Sequence, residues 1–310
     1  MKIAFVFPGQ GSQSVGMMHS FAQLAGVRET FAQASDRLGQ DLWKLAGEGP
    51  SEELNLTVNT QPVMLTADIA VYRAWQTANG AKPELFAGHS LGEYSALVAG
   101  GALDFTDAVE LVRFRAQAMQ EVVPAGVGAM AAILGLDDDV VKSACAEASG
   151  GGEVAEAANF NSPAQVVIAG NKAAVERAME IAKAKGAKRA VLLPMSVPSH
   201  CSLMRPAAER MRERLVGVSI QASAIPVLHN ADVKSASSGD AIKDALVRQL
   251  CQPVRWVDTV RALVADGATH IVECGPGKVL AGLNKRIAPE AKILSLSDEA
   301  AFKDALVALK

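Results

Sequence analysis

The chain has 310 residues, half of them hydrophobic and 20% charged, which is enough to bury a large core in one large or two ordinary domains. Its net charge is −3 and no basic run occurs, so nucleic acid is excluded as the main partner. The four cysteines (Cys145, Cys201, Cys251 and Cys274) form no CxxC pair, which excludes a metal knot and a disulfide framework and leaves a reducing cytoplasm as the expected setting.

Ile3–Phe7 reads as a buried strand. The apolar start breaks at Pro8 and Gly9, too short for a signal peptide, and no later segment approaches about 20 apolar residues, so no membrane span is expected. The glycine-rich turn that follows, GQGSQSVG, invites a phosphate-binding reading. Gly9 and Gly11 fit a dinucleotide turn, but Ser14 stands where its third glycine belongs. Gly11 and Gly16 have P-loop spacing, but Met17 replaces the lysine. Both phosphate readings fail at a required residue. Further on, Leu65, Ile69, Tyr72 and Trp75 or Gln76 mark one helix face.

Leu85–Ala87 reads as a short strand and Glu93–Ala99 as a helical stretch. Between them lies Gly88-His89-Ser90-Leu91-Gly92, a GxSxG sequence in the strand–turn–helix setting of a nucleophile elbow. Ser90 is therefore a candidate nucleophile, with a helix N-terminus behind it to favour an anion. Thr106–Val123 reads as a helix. Arg113 has Glu110 and Gln117 beside it, whereas Leu111, Val112, Ala118 and Met119 surround Arg115. Arg115 is thus a cation on the inward face. Either it snorkels or pairs with a core carboxylate, or it clamps a substrate carboxylate.

The middle of the chain changes character. Gly128–Leu136 reads as a strand, Asp137–Ser149 as a helix, Val154–Phe160 and Gln165–Ala169 as strands, Lys172–Lys185 as a helix and Ala190–Met195 as a strand. That βαββαβ order is the ferredoxin-like pattern. The expected architecture is α/β: a parallel-sheet core of residues 1–124 and 199–310, with a small ferredoxin-like domain of residues 125–198 inserted and the site in the cleft between.

A serine nucleophile needs a base. His89 sits inside the elbow and is expected to support the turn; His19 and His270 suit solvated or packed roles. His200 follows Ser199, read as the cap of the next helix, whose positive end would keep the imidazole neutral. The residues alone do not choose between His200 and His229. His229 or His270, with Asp232 or Asp258, would give the Ser–Asp–His order of an esterase. A non-catalytic acyl-carrier-binding scaffold is a second rival.

Several motifs in order resemble the malonyl-CoA:acyl carrier protein transacylases. They are FPGQGSQ at 7–13, NTQP at 59–62, GHSLGEYSALVAG at 88–100, Arg115 with MQEVVPAG, GAMAAILGL at 128–136, NSPAQVVIAG at 161–170, VPSH at 197–200, QLCQPVRW at 249–256 and GPGKVL at 275–280. The resemblance implies a hydrolase-like α/β core with an inserted ferredoxin-like domain. It also implies a malonyl transfer from malonyl-CoA to the phosphopantetheine thiol of acyl carrier protein, in fatty acid biosynthesis. Ser90 would be the nucleophile and His200 the base. The N–H groups of Gln10 and Leu91 would form the oxyanion hole, Arg115 would hold the malonyl carboxylate, and the Gln249 carbonyl would orient His200. No cofactor or metal is implied, and a cytoplasmic monomer is expected. Because the carrier is acidic, Lys188, Arg189, Lys278, Lys285 and Arg286 are candidates to meet it.

Overall fold

The computed structural model describes residues 1–124, 126–194 and 197–310. Among the described residues nine strands run in chain order: β1 (Ile3–Phe7), β2 (Leu85–Gly88), β3 (Gly128–Leu134), β4 (Ala155–Ser162), β5 (Gln165–Asn171), β6 (Arg189–Leu192), β7 (Val227–Leu228), β8 (His270–Glu273) and β9 (Lys292–Ser295).

Five of them form a parallel sheet in the order β7-β2-β1-β8-β9. The central strand β1 is apolar throughout because both of its faces are covered. Ile3, Phe5 and Phe7 point to the helices Thr57–Thr77 and Phe105–Val122, where Phe5 meets Tyr72 and Trp75. Ala4 and Val6 point the opposite way, to Trp256, Val260 and Leu280. Trp75, not the exposed Gln76, continues the buried stripe of Leu65, Ile69 and Tyr72. No helix among the described residues is long and apolar enough to cross a membrane.

The register matters for the site. Phe7 pairs with Gly88, so β1 and β2 end level at the centre of the sheet. The turns that follow them, Pro8–Gly11 and His89–Leu91, therefore leave the same edge side by side. Carboxyl ends of parallel strands are where α/β sheets place ligands.

The other four strands form an antiparallel sheet in the order β4-β5-β3-β6. Helices Asp138–Ala148 and Lys172–Ala184 cover the face carrying Ala131, Ile133, Val166 and Ile168. The opposite face, with Met130, Val167 and Ala169, packs on Cys201. Edge strand β4 is tied to the rest of the molecule. Phe160 N–H donates to the Val254 carbonyl and Val254 N–H to that of Ala158, both at 2.9 Å. The expected final strand Ala190–Met195 is shorter, Arg189–Leu192, and Met195 lies outside the described residues.

Candidate active site

The elbow is built by close approach. Gly92 opens the helix Gly92–Ala99, and a Cβ there would lie 2.1 Å from the Phe7 carbonyl oxygen. A Cβ on Gly9 would lie 2.5 Å from that of His89. The two turns thus touch at glycines because no side chain fits between them. Ser90 sits at φ +52°, a left-handed conformation costly for a side chain that bears a Cβ. Asn230 holds it there. Its Oδ1 accepts the Ser90 N–H at 2.7 Å and its Nδ2 donates to the Gly88 carbonyl at 2.6 Å. The N–H groups of Gln10 and Leu91 donate to no other group among the described residues. Both residues line a cavity of about 380 Å³ that opens over Ser90 and is roofed by Met130, Asn159 and Val167 of the antiparallel sheet.

The base follows from two orphan carbonyls. Helix Gly239–Cys251 ends beside the elbow, and its last-turn carbonyls have no partner within the helix. Leu250 O accepts the His200 N–H at 3.1 Å, and Gln249 O accepts from His200 Nδ1 at 2.7 Å. A carbonyl can only accept, so Nδ1 carries the proton. That leaves Nε2 to accept from the Ser90 hydroxyl, 2.7 Å away. His200 is buried, and burial first, then the Arg115 charge, push its pKa down to about 3. The ring is a neutral base near pH 7.

This corrects one expectation. Ser199 caps no helix: the short 3-10 turn Ser202–Met204 follows Cys201 without a side-chain cap. His200 itself sits at φ +62°, outside any helix. Desolvation and a neighbouring cation, not a helix dipole, keep it neutral.

Arg115 is 1% exposed, and no carboxylate pairs with it among the described residues. Its Nη1 donates to Gln61 Oε1 at 2.8 Å. Its Nη2 donates to Gln249 Oε1 at 2.9 Å and approaches Ser90 Oγ at 3.3 Å. The Tyr94 ring lies 5.5 Å away. The buried Nε has no partner among the described residues. A guanidinium keeps its charge, and a buried unpaired charge is costly, so the site is shaped to receive an anion next to Ser90.

The other histidines stay out of this line. His89 turns from Ser90 to Asn161 Oδ1, 2.8 Å away, and packs on Trp256, as a turn-supporting residue should. His229 bonds Glu93 at 2.7 Å, while Asp232 is engaged by Arg248 and Asp258 by Arg255. His270 stays at the start of β8 with Thr269. The Ser–Asp–His alternatives are not assembled. Asn230, Gln61 and the Gln249 amide are additions that sequence reading missed. The one available signal was Glu93, a charge in an otherwise apolar or neutral helix GEYSALVA. The five basic candidates are exposed and none lines the cavity. No cluster of His, Cys, Asp or Glu among the described residues could hold a metal ion.

A serine hydroxyl, a neutral imidazole, two N–H groups without partners among the described residues and a buried cation thus line one cavity, an arrangement chemically able to carry out transfer of an acidic acyl group. Comparison with known proteins agrees. The family model for the acyl transferase domain matches residues 4–292. The malonyl CoA-acyl carrier protein transacylase of Escherichia coli (strain K12) is 55% identical over 306 residues, 98% of this chain and 99% of that protein. The crystal structure of an acyl-carrier-protein S-malonyltransferase from Burkholderia pseudomallei 1710b matches with a TM-score of 0.97 and 62% identity, covering 99% and 100% of the two chains. A malonyl-transacylase solved in complex with its type II PKS acyl-carrier protein matches with a TM-score of 0.98 and 50% identity, again over 99% and 100%. The chain belongs to the acyl transferase family and, within it, to the malonyl CoA-acyl carrier protein transacylases.

Proposed function

We propose that this protein transfers a malonyl group from malonyl-CoA to the phosphopantetheine thiol of acyl carrier protein, supplying fatty acid synthesis in the cytoplasm. The observation that carries this reading is the bond line Gln249 C=O, His200, Ser90 Oγ, with the Arg115 guanidinium 3.3 Å from that same oxygen.

Ser90 Oγ attacks the thioester carbon while His200 Nε2 takes its proton. The carbonyl oxygen becomes an oxyanion, held by the N–H groups of Gln10 and Leu91. Collapse breaks the C–S bond, and His200 returns the proton to the departing CoA sulfur. The carrier thiol then gives its proton to His200 and attacks the malonyl-serine ester. Ser90 leaves as the alkoxide and recovers the proton. Arg115 holds the malonyl carboxylate in both halves. An acetyl group leaves that buried cation unmatched, which is how a polar site rejects an analogue lacking the polar group.

The βαββαβ order and the antiparallel sheet support reading residues 125–198 as a ferredoxin-like domain inserted into a large domain of 1–124 and 199–310. The cavity then lies between the two. Lys285 and Arg286, on the exposed side of the helix Val279–Ile287, are the candidates for meeting an acidic carrier, with Arg286 reaching Gln165 of the other sheet. Transfer of labelled malonyl to holo carrier protein tests the reading. Holo carrier should accept it and apo carrier, lacking the thiol, should not. CoA release with no label on the carrier or on the enzyme would instead mean a thioester hydrolase.

A further inference from the structure

We infer that Glu93 is the positioning residue that holds nucleophile, base and cation of this site in one register. The inference rests on the proposed roles of Ser90, His200 and Arg115. Glu93 follows Ser90 by three residues, in the first turn of the helix Gly92–Ala99, and is fully buried. Its two oxygens accept three N–H groups. Oε1 accepts from His229 Nδ1 at 2.7 Å. Oε2 accepts from the Asn230 backbone at 2.9 Å and from Gln249 Nε2 at 3.0 Å.

Each of two partners passes the constraint on. Asn230 uses its side chain to fix the Ser90 N–H and the Gly88 carbonyl, which sets the left-handed turn at the nucleophile. Gln249 donates from Nε2 to the Ser90 carbonyl at 2.8 Å, accepts from Arg115 through Oε1, and holds His200 through its backbone carbonyl. The amide of Gln249 therefore lies between a group that can only accept and one that can only donate. A carboxylate at 93 obliges Gln249 to turn its NH2 toward it. The amide oxygen must then face Arg115. The buried carboxylate thus acts with the Ser90 carbonyl to fix which way the Gln249 amide points, and so which donors of Arg115 are left for a substrate. His229, with its proton held on Nδ1 by the same carboxylate, closes the far side of the network.

Glu93→Gln keeps the shape but removes the charged half of this obligation and leaves the Ser90 carbonyl to act alone, because an amide at 93 can donate as well as accept. The test measures kcat/KM for malonyl-CoA and for acetyl-CoA, per folded molecule, in Glu93→Gln, Gln249→Leu and the double variant. The fraction folded is taken from the cooperative thermal transition. Glu93→Gln should lower malonyl kcat/KM about 100-fold, the order expected for a misplacement of about 1 Å. The malonyl-to-acetyl ratio should fall about tenfold. Gln249→Leu keeps the backbone carbonyl and should lower the ratio similarly. The double variant should show a malonyl-to-acetyl ratio no lower than Gln249→Leu, since selectivity passes through the Gln249 amide, while loss of the Asn230 branch lowers both donors alike. An unchanged ratio in Glu93→Gln, with both donors losing equally, would mean a purely structural role and overturn the inference; so would a further fall of the ratio in the double variant below that of Gln249→Leu. If Glu93→Gln does not fold, Glu93→Asp, which keeps the charge but withdraws it from Gln249, takes its place: a fall of the ratio upholds the inference and an unchanged ratio overturns it. Failure of the parent protein to form malonyl-Ser90 would sink the proposed function instead, which separates the two.

Discussion

Replacing Arg115 by alanine is the sharpest test of acyl selectivity. A guanidinium has five N–H donors. Three are engaged, by Gln61, Gln249 and the Ser90 hydroxyl, and two remain, with Nε buried and unpartnered among the described residues. A malonyl carboxylate arriving at Ser90 would meet a cation that is almost fully buried. Hydrogen bonds to a charged group contribute about 1.5–3 kcal/mol each, so two such bonds lost amount to roughly 4 kcal/mol. At about 1.4 kcal/mol per decade this lowers malonyl kcat/KM by about 10³-fold in Arg115→Ala. Acetyl-CoA never had these bonds, and removing an unmatched cation should leave its kcat/KM equal or higher. The assay is steady-state transfer from each donor to the same carrier protein. A malonyl-to-acetyl ratio within tenfold of the parent, or equal losses for both donors, would refute the clamp.

Three further outcomes follow from the geometry. The folded pKa of His200, about 3, lies below its ordinary 6.5. Between those values the unfolded chain holds a proton that the folded chain does not, so stability falls as pH drops, by about 1.4 kcal/mol per unit. Glu273, pushed up to about 7 by burial, works in the opposite sense between 4.5 and 7. The measurement is therefore the difference between parent and His200→Gln denaturation curves from pH 4 to 6.5, which should show the parent losing that extra slope. Gly92→Ala would set a Cβ 2.1 Å from a backbone oxygen that cannot move aside, and should cost about 4 kcal/mol or more, seen as a lost or sharply lowered melting transition. A melting point unchanged within a few degrees would contradict the close-packed elbow. Lys285→Glu with Arg286→Glu should raise KM for the carrier while leaving the acylation of Ser90 by malonyl-CoA untouched; unchanged carrier kinetics would remove this face from consideration.

How much of this was legible in the sequence depends on range. Strand β1 is legible to the residue because a strand covered on both faces is continuously apolar, and β8, HIVE, is legible from its Ile-Val pair and the Gly275-Pro276-Gly277 turn that closes it. The outer strands are not. β7 has two residues, too few for any period, and β9, KILS, is half-exposed with a lysine at its start. Ser90 is legible because the elbow needs its glycines in immediate sequence. Arg115 is legible because its neighbours one helical turn away are apolar. His200 and His229 both lie in loops, and the choice between them is made by distant groups, the carbonyl of Gln249 and the carboxylate of Glu93. Asn230 and Gln61 are uncharged amides without periodicity, so nothing local marks them. The dipole argument for a neutral His200 failed because it assumed a helix where the chain makes a left-handed residue and a 3-10 turn.

The central claim is that Ser90 carries the acyl group. Intact mass spectrometry after brief exposure to malonyl-CoA, without carrier protein, tests it most directly, with Ser90→Ala and an acetyl-CoA sample alongside. The account predicts one malonyl unit on the parent protein, none on Ser90→Ala, and only a trace of acetyl. Full malonylation of Ser90→Ala, or steady CoA release with no adduct on the parent, would contradict it.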